Sequence, residues 1–364
     1  MNYFPRYATL PDDQPLLQQI EAAAARLAGR FRKLDASRLA ISEYNQRYLS
    51  IIIRNLRGVL TLNAYLLALA LARAAKPLRE TVLVDYGGGC GIFSFLAVEL
   101  GVGAVIYNDI YDVSCQDARV IGAALHCPVY DYVHGDIDEL VQYVRHTSLR
   151  VDAMASYDVI EHIYDLTGYF RKLPQLSDGS MRVVFASSAN AHNPVINRQR
   201  MRTHREIEHK DRPKEWGHKE RDALQSYLGI RQDIISSSAP HLAHDEVEKL
   251  ARATRGLIQR DIEKVVVEYC ATGAITYAPG HPTNTCDPLT GNWAEHLMDT
   301  ADVVTMLADS GFVASVLPGY FDSDGKPHKR VIKELLNLVI NGLGGYRLAA
   351  APYYVLYGSQ RSAT

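Results

Sequence analysis

The chain has 364 residues, a formal net charge of -2 and 47% hydrophobic residues, enough to bury a large core in one elaborated domain or two. A charge so near zero excludes the broad basic footprint with which a protein meets a polyanion, and argues against nucleic acid as a partner. Five cysteines, Cys90, Cys115, Cys127, Cys270 and Cys286, contain no C-x-x-C pair, so neither a disulfide framework nor a zinc ribbon is expected and a reducing, cytoplasmic setting fits.

The opening residues Met1-Asn2-Tyr3-Phe4-Pro5-Arg6 lack an apolar signal core. Residues 14–34 and 43–75 carry Leu, Ile and Ala at helical spacing with Arg and Glu between, which predicts an N-terminal helical region over 1–78 whose role is packing. Its longest apolar stretch, Val59 to Ala72, is interrupted by Asn63 and falls short of the ~20 residues a membrane span needs; a buried helix is expected, with no membrane partner.

Val82-Leu83-Val84-Asp85-Tyr86 then reads as a buried strand that ends near an acid and breaks into Gly87-Gly88-Gly89-Cys90-Gly91 before a helix. Glycine suits a turn that needs positive φ and lets a ligand lie against bare backbone. The G-x-G-x-x-G dinucleotide template fails because its last glycine would fall on Ile92; what stands is D-x-G-x-G-x-G with Asp85, Gly87, Gly89 and Gly91. A second apolar run, Ala104 to Asn108, ends on Asp109, placed where a second parallel strand delivers a carboxylate to ribose hydroxyls. Asp109 is expected to stand at the surface. Tyr130 to Ile137 supplies a third strand end with Asp136. Ala153 to Ile163 supplies a fourth, carrying Asp158-Val159-Ile160-Glu161-His162, and Met181 to Ser188 a fifth.

The glycine loop resembles the first motif of class I S-adenosylmethionine-dependent methyltransferases. The Asp158 to His162 string resembles the D-V-x-E-H strand end of their ubiquinone-biosynthesis O-methyltransferase-like branch. The likeness spans about residues 80 to 190 and 297 to 358, where 311–320 and 352–358 look like the closing strands. It implies an α/β, Rossmann-like fold with a seven-stranded, mostly parallel sheet, helices on both faces and an antiparallel last strand. It implies S-adenosyl-L-methionine as cofactor, held by Asp85, Gly87, Gly89, Gly91, Asp109, Asp136 and Asp158, with Asp136 accepting from the adenine amine.

The core is thus expected at 79–190 and 297–364, and 191–296 as a substrate-side insertion that caps the site as a lid. In the insertion, an Arg-rich stretch from Arg198 with interleaved acids reads as an ion-paired helix, Glu220 to Leu228 as helix-like, and Asp245 to Tyr269 as one long amphipathic helix. His281 to His296, dense in Pro, Asn, Thr and Asp, reads as an ordered irregular loop.

Candidate bases are His162, His192 and His218, since imidazole titrates near neutral pH. Asp158, Glu161 and His162 have the i, i+3, i+4 spacing that would converge on a divalent ion if the strand end turned into a helix. No obligatory metal is expected, because no further ligand can be assigned. The expected activity is methyl transfer to a hydroxyl of a small-molecule or glycan acceptor. The alternatives are N-methylation of an amine metabolite or peptide, a metal-assisted RNA 2'-O-methyltransferase, and an inactive scaffold of the same fold.

Overall fold

The computed structural model describes residues 3–72, 76–212, 224–322 and 325–361. The chain divides into two compact units: one built from the segments before Glu161, Thr167–Asn193 and the chain after Met298, the other from Glu161–Leu166 and Pro194–Met298.

The first unit holds seven strands: β1 Val82–Tyr86, β2 Ala104–Asp109, β3 Asp131–His134, β4 Ala153–Tyr157, β5 Arg182–Ser187, β6 Phe312–Pro318 and β7 Tyr354–Gln360. Their order is β3-β2-β1-β4-β5-β7-β6, parallel except for β7, which runs antiparallel to both β5 and β6. This is the α/β, Rossmann-like, mostly parallel sheet expected from the sequence. The order reverses between β1 and β4, and in open α/β sheets the crevice beyond the carboxyl ends of strands at such a reversal is where ligands bind.

Three helices precede the sheet: α1 Gln14–Phe31, α2 Glu43–Arg54 and α3 Leu56–Leu71. Asp13 caps α1 by accepting from Leu16 N, and Ser42 caps α2 by accepting from Asn45 N. The chain bends by 91° between α2 and α3 at Asn55, so the stretch read as 43–75 is two helices; no single described helix is long and apolar enough to cross a membrane. After β1 come α4 Ile92–Leu100, α5 Asp112–Ala124 following β2, α6 Ile137–Thr147 following β3, and α7 Leu166–Lys172 following β4.

Side chains alternate across a strand, so each strand serves two cores. Leu83, Val105, Ala153, Ala155, Val184 and Ala186 share a buried cluster with α1, α3 and α4. On the opposite face Phe185 stacks on Phe170 of α7 at 5.9 Å, and Tyr169 packs at 5.1 Å from Tyr86. Burying each such side chain contributes about 1.5–3 kcal/mol. Helices α12 Thr300–Asp309 and α13 Pro327–Gly342 flank β6.

The second unit is helical: α8 Pro194–His209, α9 Tyr227–Ser238, α10 His244–Ala253 and α11 Gln259–Thr272, around Tyr227, Ile235, Leu250 and Ile262. The single long helix expected over Asp245 to Tyr269 is corrected to α10 and α11. Thr254 turns its hydroxyl back to Leu250 O, and Gly256 at φ +86 takes a left-handed conformation that an α-helix does not admit. The helix expected at Glu220 to Leu228 falls partly outside the described residues, and α9 begins only at Tyr227.

Ion pairing in the Arg-rich stretch takes two forms. Arg202 pairs with Glu206 on the surface of α8. Arg231, fully buried, pairs with Glu208 and donates to Ala251 O at 2.8 Å, while Glu208 also accepts from Thr285 at 2.7 Å. Removing one partner of such a buried pair typically costs about 3–5 kcal/mol.

Candidate functional site

Asp85 sits one residue before the end of β1, where a carboxylate can reach the start of the next helix. Its Oδ2 accepts from Ser94 N at 3.0 Å and Ser94 Oγ at 2.7 Å, so it satisfies an orphan amide in the first turn of α4. Gly91, which precedes that helix, lies at φ +80 and offers no side-chain cap of its own. Burial pushes the Asp85 carboxyl up to about 7 against the lowering effect of the Ser94 hydrogen bonds, and neighbouring Asp109 raises it further.

The loop between them is built from left-handed glycines. Gly87, Gly89 and Gly91 lie at φ +72, +53 and +80. A Cβ at Gly91 would stand 2.6 Å from the Phe95 ring, whereas one at Gly89 would meet nothing within 4 Å. Gly91 is therefore required by packing and Gly89 faces open space. Asn108 ties neighbouring strand ends together: its carbonyl accepts from Gly87 N and Gly88 N at 2.9 Å, and its amide donates to Val133 O and Gly135 O at 3.0 Å.

Asp109 is not at the surface. It is 4% exposed, with Oδ2 accepting from Gly89 N at 3.0 Å and Oδ1 from Tyr111 N at 2.9 Å. The strand-end reading missed that this acid is needed by the loop next door. Tyr107 reinforces the link, donating to Gly89 O at 2.7 Å. The Tyr107 hydroxyl also lies 3.5 Å from Asp109 Oδ2, so it is Oδ1, with Tyr111 N as its donor, that keeps a second acceptor position.

Asp136 is exposed and caps α6, accepting from Asp138 N at 2.7 Å while Glu139 accepts from Asp136 N at 2.9 Å. Asp158 adopts φ +54, rare for a residue with a side chain, and its Oδ1 accepts from Ser188 N at 2.8 Å. The segment continues as a one-turn 3-10 helix, Ile160–His162, so the α-helical turn that would converge Asp158, Glu161 and His162 on a metal is not formed. Among the described residues no group of three or more His, Cys, Asp or Glu side chains is arranged to hold a metal ion.

A cavity of ≈ 160 Å³ opens beside the glycine loop. Gly87, Gly88, Gly89 and Asp85 form one side, the end of β4 contributes Ser156 and Tyr157, and Tyr48 and Asn63 reach it from α2 and α3. The N-terminal helices thus wall the site rather than merely pack. Sequence reasoning missed Ser94, Tyr107, Tyr48 and Asn63; Ser94 and Asn63 alone left a signal, as polar residues in otherwise apolar helical runs. Among the described residues no Lys, Arg or His lines this cavity, and its one carboxyl group is Asp85.

The candidate bases fall in different places. His192 is exposed, its Nε2 within 2.9 Å of Thr300 Oγ1, and does not line the cavity. His218 lies outside the described residues. His162 belongs to the second unit, where its Nδ1 lies 2.7 Å from Trp293 O. A carbonyl only accepts, so Nδ1 carries the proton and the lone pair of the neutral ring is at Nε2.

Around it the loop from His281 to His296 is pinned by backbone hydrogen bonds from Trp293 N to His162 O and from His296 N to Glu161 O. His296 stacks on Trp293 with ring centres 4.1 Å apart, and burial, with His281 and His204 nearby, pushes its pKa down to about 4. His204 is fully buried between Thr283 Oγ1 and Glu295 O, both at 3.1 Å, and burial lowers its pKa too.

No family model matches the chain, and no curated protein does. Among solved structures it is similar to an S-adenosylmethionine-dependent methyltransferase from Mesorhizobium loti, at 16% identity over 79% of this chain and 95% of that one, with a TM-score of 0.37. A second likeness is to a methyltransferase of the same dependence from Listeria monocytogenes, at 12% identity over 79% and 93% of the two chains and a TM-score of 0.37. A third is to phosphoethanolamine N-methyltransferase 2 from Haemonchus contortus, at 12% identity, with a TM-score of 0.36; it covers 82% of this chain and only 52% of that one. At these identities and TM-scores the likenesses carry no weight for activity, and the site is read from its own geometry.

Proposed function

We propose that the chain is an S-adenosylmethionine-dependent methyltransferase that moves a methyl group to a hydroxyl of a small-molecule or glycan acceptor by in-line displacement. The observation that carries this reading is Gly89: bare backbone at φ +53 facing open space, its amide held by Asp109, beside a cavity whose one carboxyl group among the described residues is Asp85.

The chemistry of that donor set selects the ligand. A pyrophosphate at the start of α4 would meet the carboxyl groups of Asp85 and Asp109 with no Lys or Arg among the described residues of the cavity lining to offset them. An amino-acid end bearing an ammonium suits the same surroundings. Asp85 and the Gly87 to Gly91 loop would hold that end, Asp109 the ribose, and Asp136 and Asp158 remain the proposed further contacts. When bound, the cofactor supplies a methyl group already activated as a sulfonium. The protein then has to orient the acceptor, exclude water and take up a proton.

We assign the proton to Nε2 of His162, whose tautomer is set by the Trp293 carbonyl, and acceptor selection to the unit containing Pro194–Met298. The Asp158 to His162 string keeps the ubiquinone-type branch as the finer proposal. Incubating the protein with isotopically labelled S-adenosylmethionine and a metabolite extract should yield hydroxyl compounds one methyl heavier. A product methylated at nitrogen would transfer the assignment to the amine alternative, and transfer to RNA would contradict the acceptor class.

A further inference from the structure

Seven of the large apolar side chains most open to solvent fall between residues 331 and 346: Val331, Ile332, Leu335, Leu338, Val339, Leu343 and Tyr346. Val331, Ile332, Leu335, Leu338 and Val339 share one outward face of α13, and Leu343 and Tyr346 follow just past its end. The inward side of α13 is mixed: Ile340 is fully buried against Tyr320 and Ala351, while Asn337, 1% exposed, donates to Phe321 O and accepts from Phe321 N, Asn341 donates to Tyr7 O, and Lys333 pairs with Asp322. Ile340 serves the core, but most of the apolar side chains of this amphipathic helix are left on the outer face. The exposed apolar side chains of the stripe are contiguous rather than scattered singly, the pattern that marks an interaction site.

We infer that this face of α13 is where a second copy of the chain docks, the two helices antiparallel about a two-fold axis passing near Leu335. Three features of the helix carry the assignment. Ile332, Leu335, Val339 and Gly342 are spaced three, four and three residues apart, the seam of a helix that packs against another helix. The stripe is self-complementary about Leu335: Val331 of one copy meets Val339 of the other, and Ile332 meets Leu338, as an isologous contact requires.

Charge fixes the direction. Lys326, Lys329 and Arg330 are exposed and crowd the start of α13, so a parallel pair would set them against their own images. An antiparallel pair lays them beside the carboxyl end of the other helix, where the macrodipole favours cations.

Sedimentation of the full chain over a wide concentration range should give a reversible dimer. Leu335→Glu and Leu335→Lys should each be monomeric, with unchanged circular dichroism and unchanged affinity for S-adenosylhomocysteine, and an equimolar mixture of the two should recover the dimer. In a Cys270→Ser background, Leu335→Cys should cross-link to itself on oxidation. A wild-type protein that stays monomeric, or a dimer that Leu335→Glu leaves intact, overturns the proposal. So does a monomer that binds anionic phospholipid vesicles through this face. Because dimerisation is read by mass and the cofactor by binding, failure of either claim leaves the other standing.

Discussion

Asp109 accepts the backbone N–H of Gly89 at 3.0 Å, so the acid at the end of β2 and the open glycine of the loop after β1 are one structural element. Asp109→Ala should therefore weaken cofactor binding and also lower folding stability, by about 1–3 kcal/mol, because it leaves the Gly89 and Tyr111 amides without their partner. Chemical denaturation alongside calorimetry separates the two effects. Unchanged stability would contradict the role of Asp109 as a support of the loop.

Asp85 makes cofactor binding depend on pH. Its carboxyl is raised to about 7 in the folded protein, above the ordinary value of 3.8, so the folded state holds a proton that the unfolded state has lost. That contribution to stability is full below about pH 4 and is lost as pH rises through about 7. A ligand ammonium favours the ionised form, so affinity for S-adenosylhomocysteine should rise as pH increases through about 7, with release of a proton, and Asp85→Asn should flatten the dependence. A flat profile in the parent protein would place the ammonium elsewhere.

His296 predicts acid sensitivity in the second unit. Its folded pKa of about 4 lies below the ordinary 6.5, so between these values the unfolded state binds the extra proton and stability falls as pH falls. The loss is on the order of 3 kcal/mol once pH is below about 4. Hydrogen exchange in α8 to α11 should quicken over that window, and His296→Phe should blunt the change; exchange independent of pH, after correction for its intrinsic rate, would argue against a neutral buried imidazole.

His162→Ala should lower turnover by about 10²–10⁴-fold while cofactor affinity stays near that of the parent protein. Since the α-helical turn needed to bring Asp158, Glu161 and His162 together is not formed, treatment with a chelator should leave activity intact. Activity lost to a chelator and restored by magnesium or zinc would make Glu161 and His162 metal ligands instead.

Much of this was legible because it is local. Apolar runs ending near Asp85, Asp109 and Asp158, and the break into glycines after Tyr86, are signals carried within a few residues, and the three runs became β1, β2 and β4, of which β1 and β4 flank the sheet reversal. The capping role of Asp136 was equally local, written in Asp136-Ile137-Asp138-Glu139, but was passed over for a ligand role. What sequence did not disclose is long-range. Asn63 stands out as a polar residue in an apolar run, but neither it nor Tyr48 discloses that α2 and α3 wall the cavity beside a loop far along the chain. The burial of Asp109 depends on an amide contributed by a different strand end. The division into α10 and α11 turned on Gly256, whose left-handed conformation outweighed an apolar periodicity that ran straight through it.

Calorimetric titration of S-adenosylhomocysteine into the parent protein and into Gly89→Val tests the central claim most directly. A Cβ at Gly89 meets nothing within 4 Å, and the left-handed backbone opposes a side chain by about 1–2 kcal/mol. The parent protein should bind with one-to-one stoichiometry, and Gly89→Val should remain folded and lose that binding. Equal binding by both proteins, or binding of NAD with none of S-adenosylhomocysteine, would contradict the assignment of this loop to a methyl-donor cofactor.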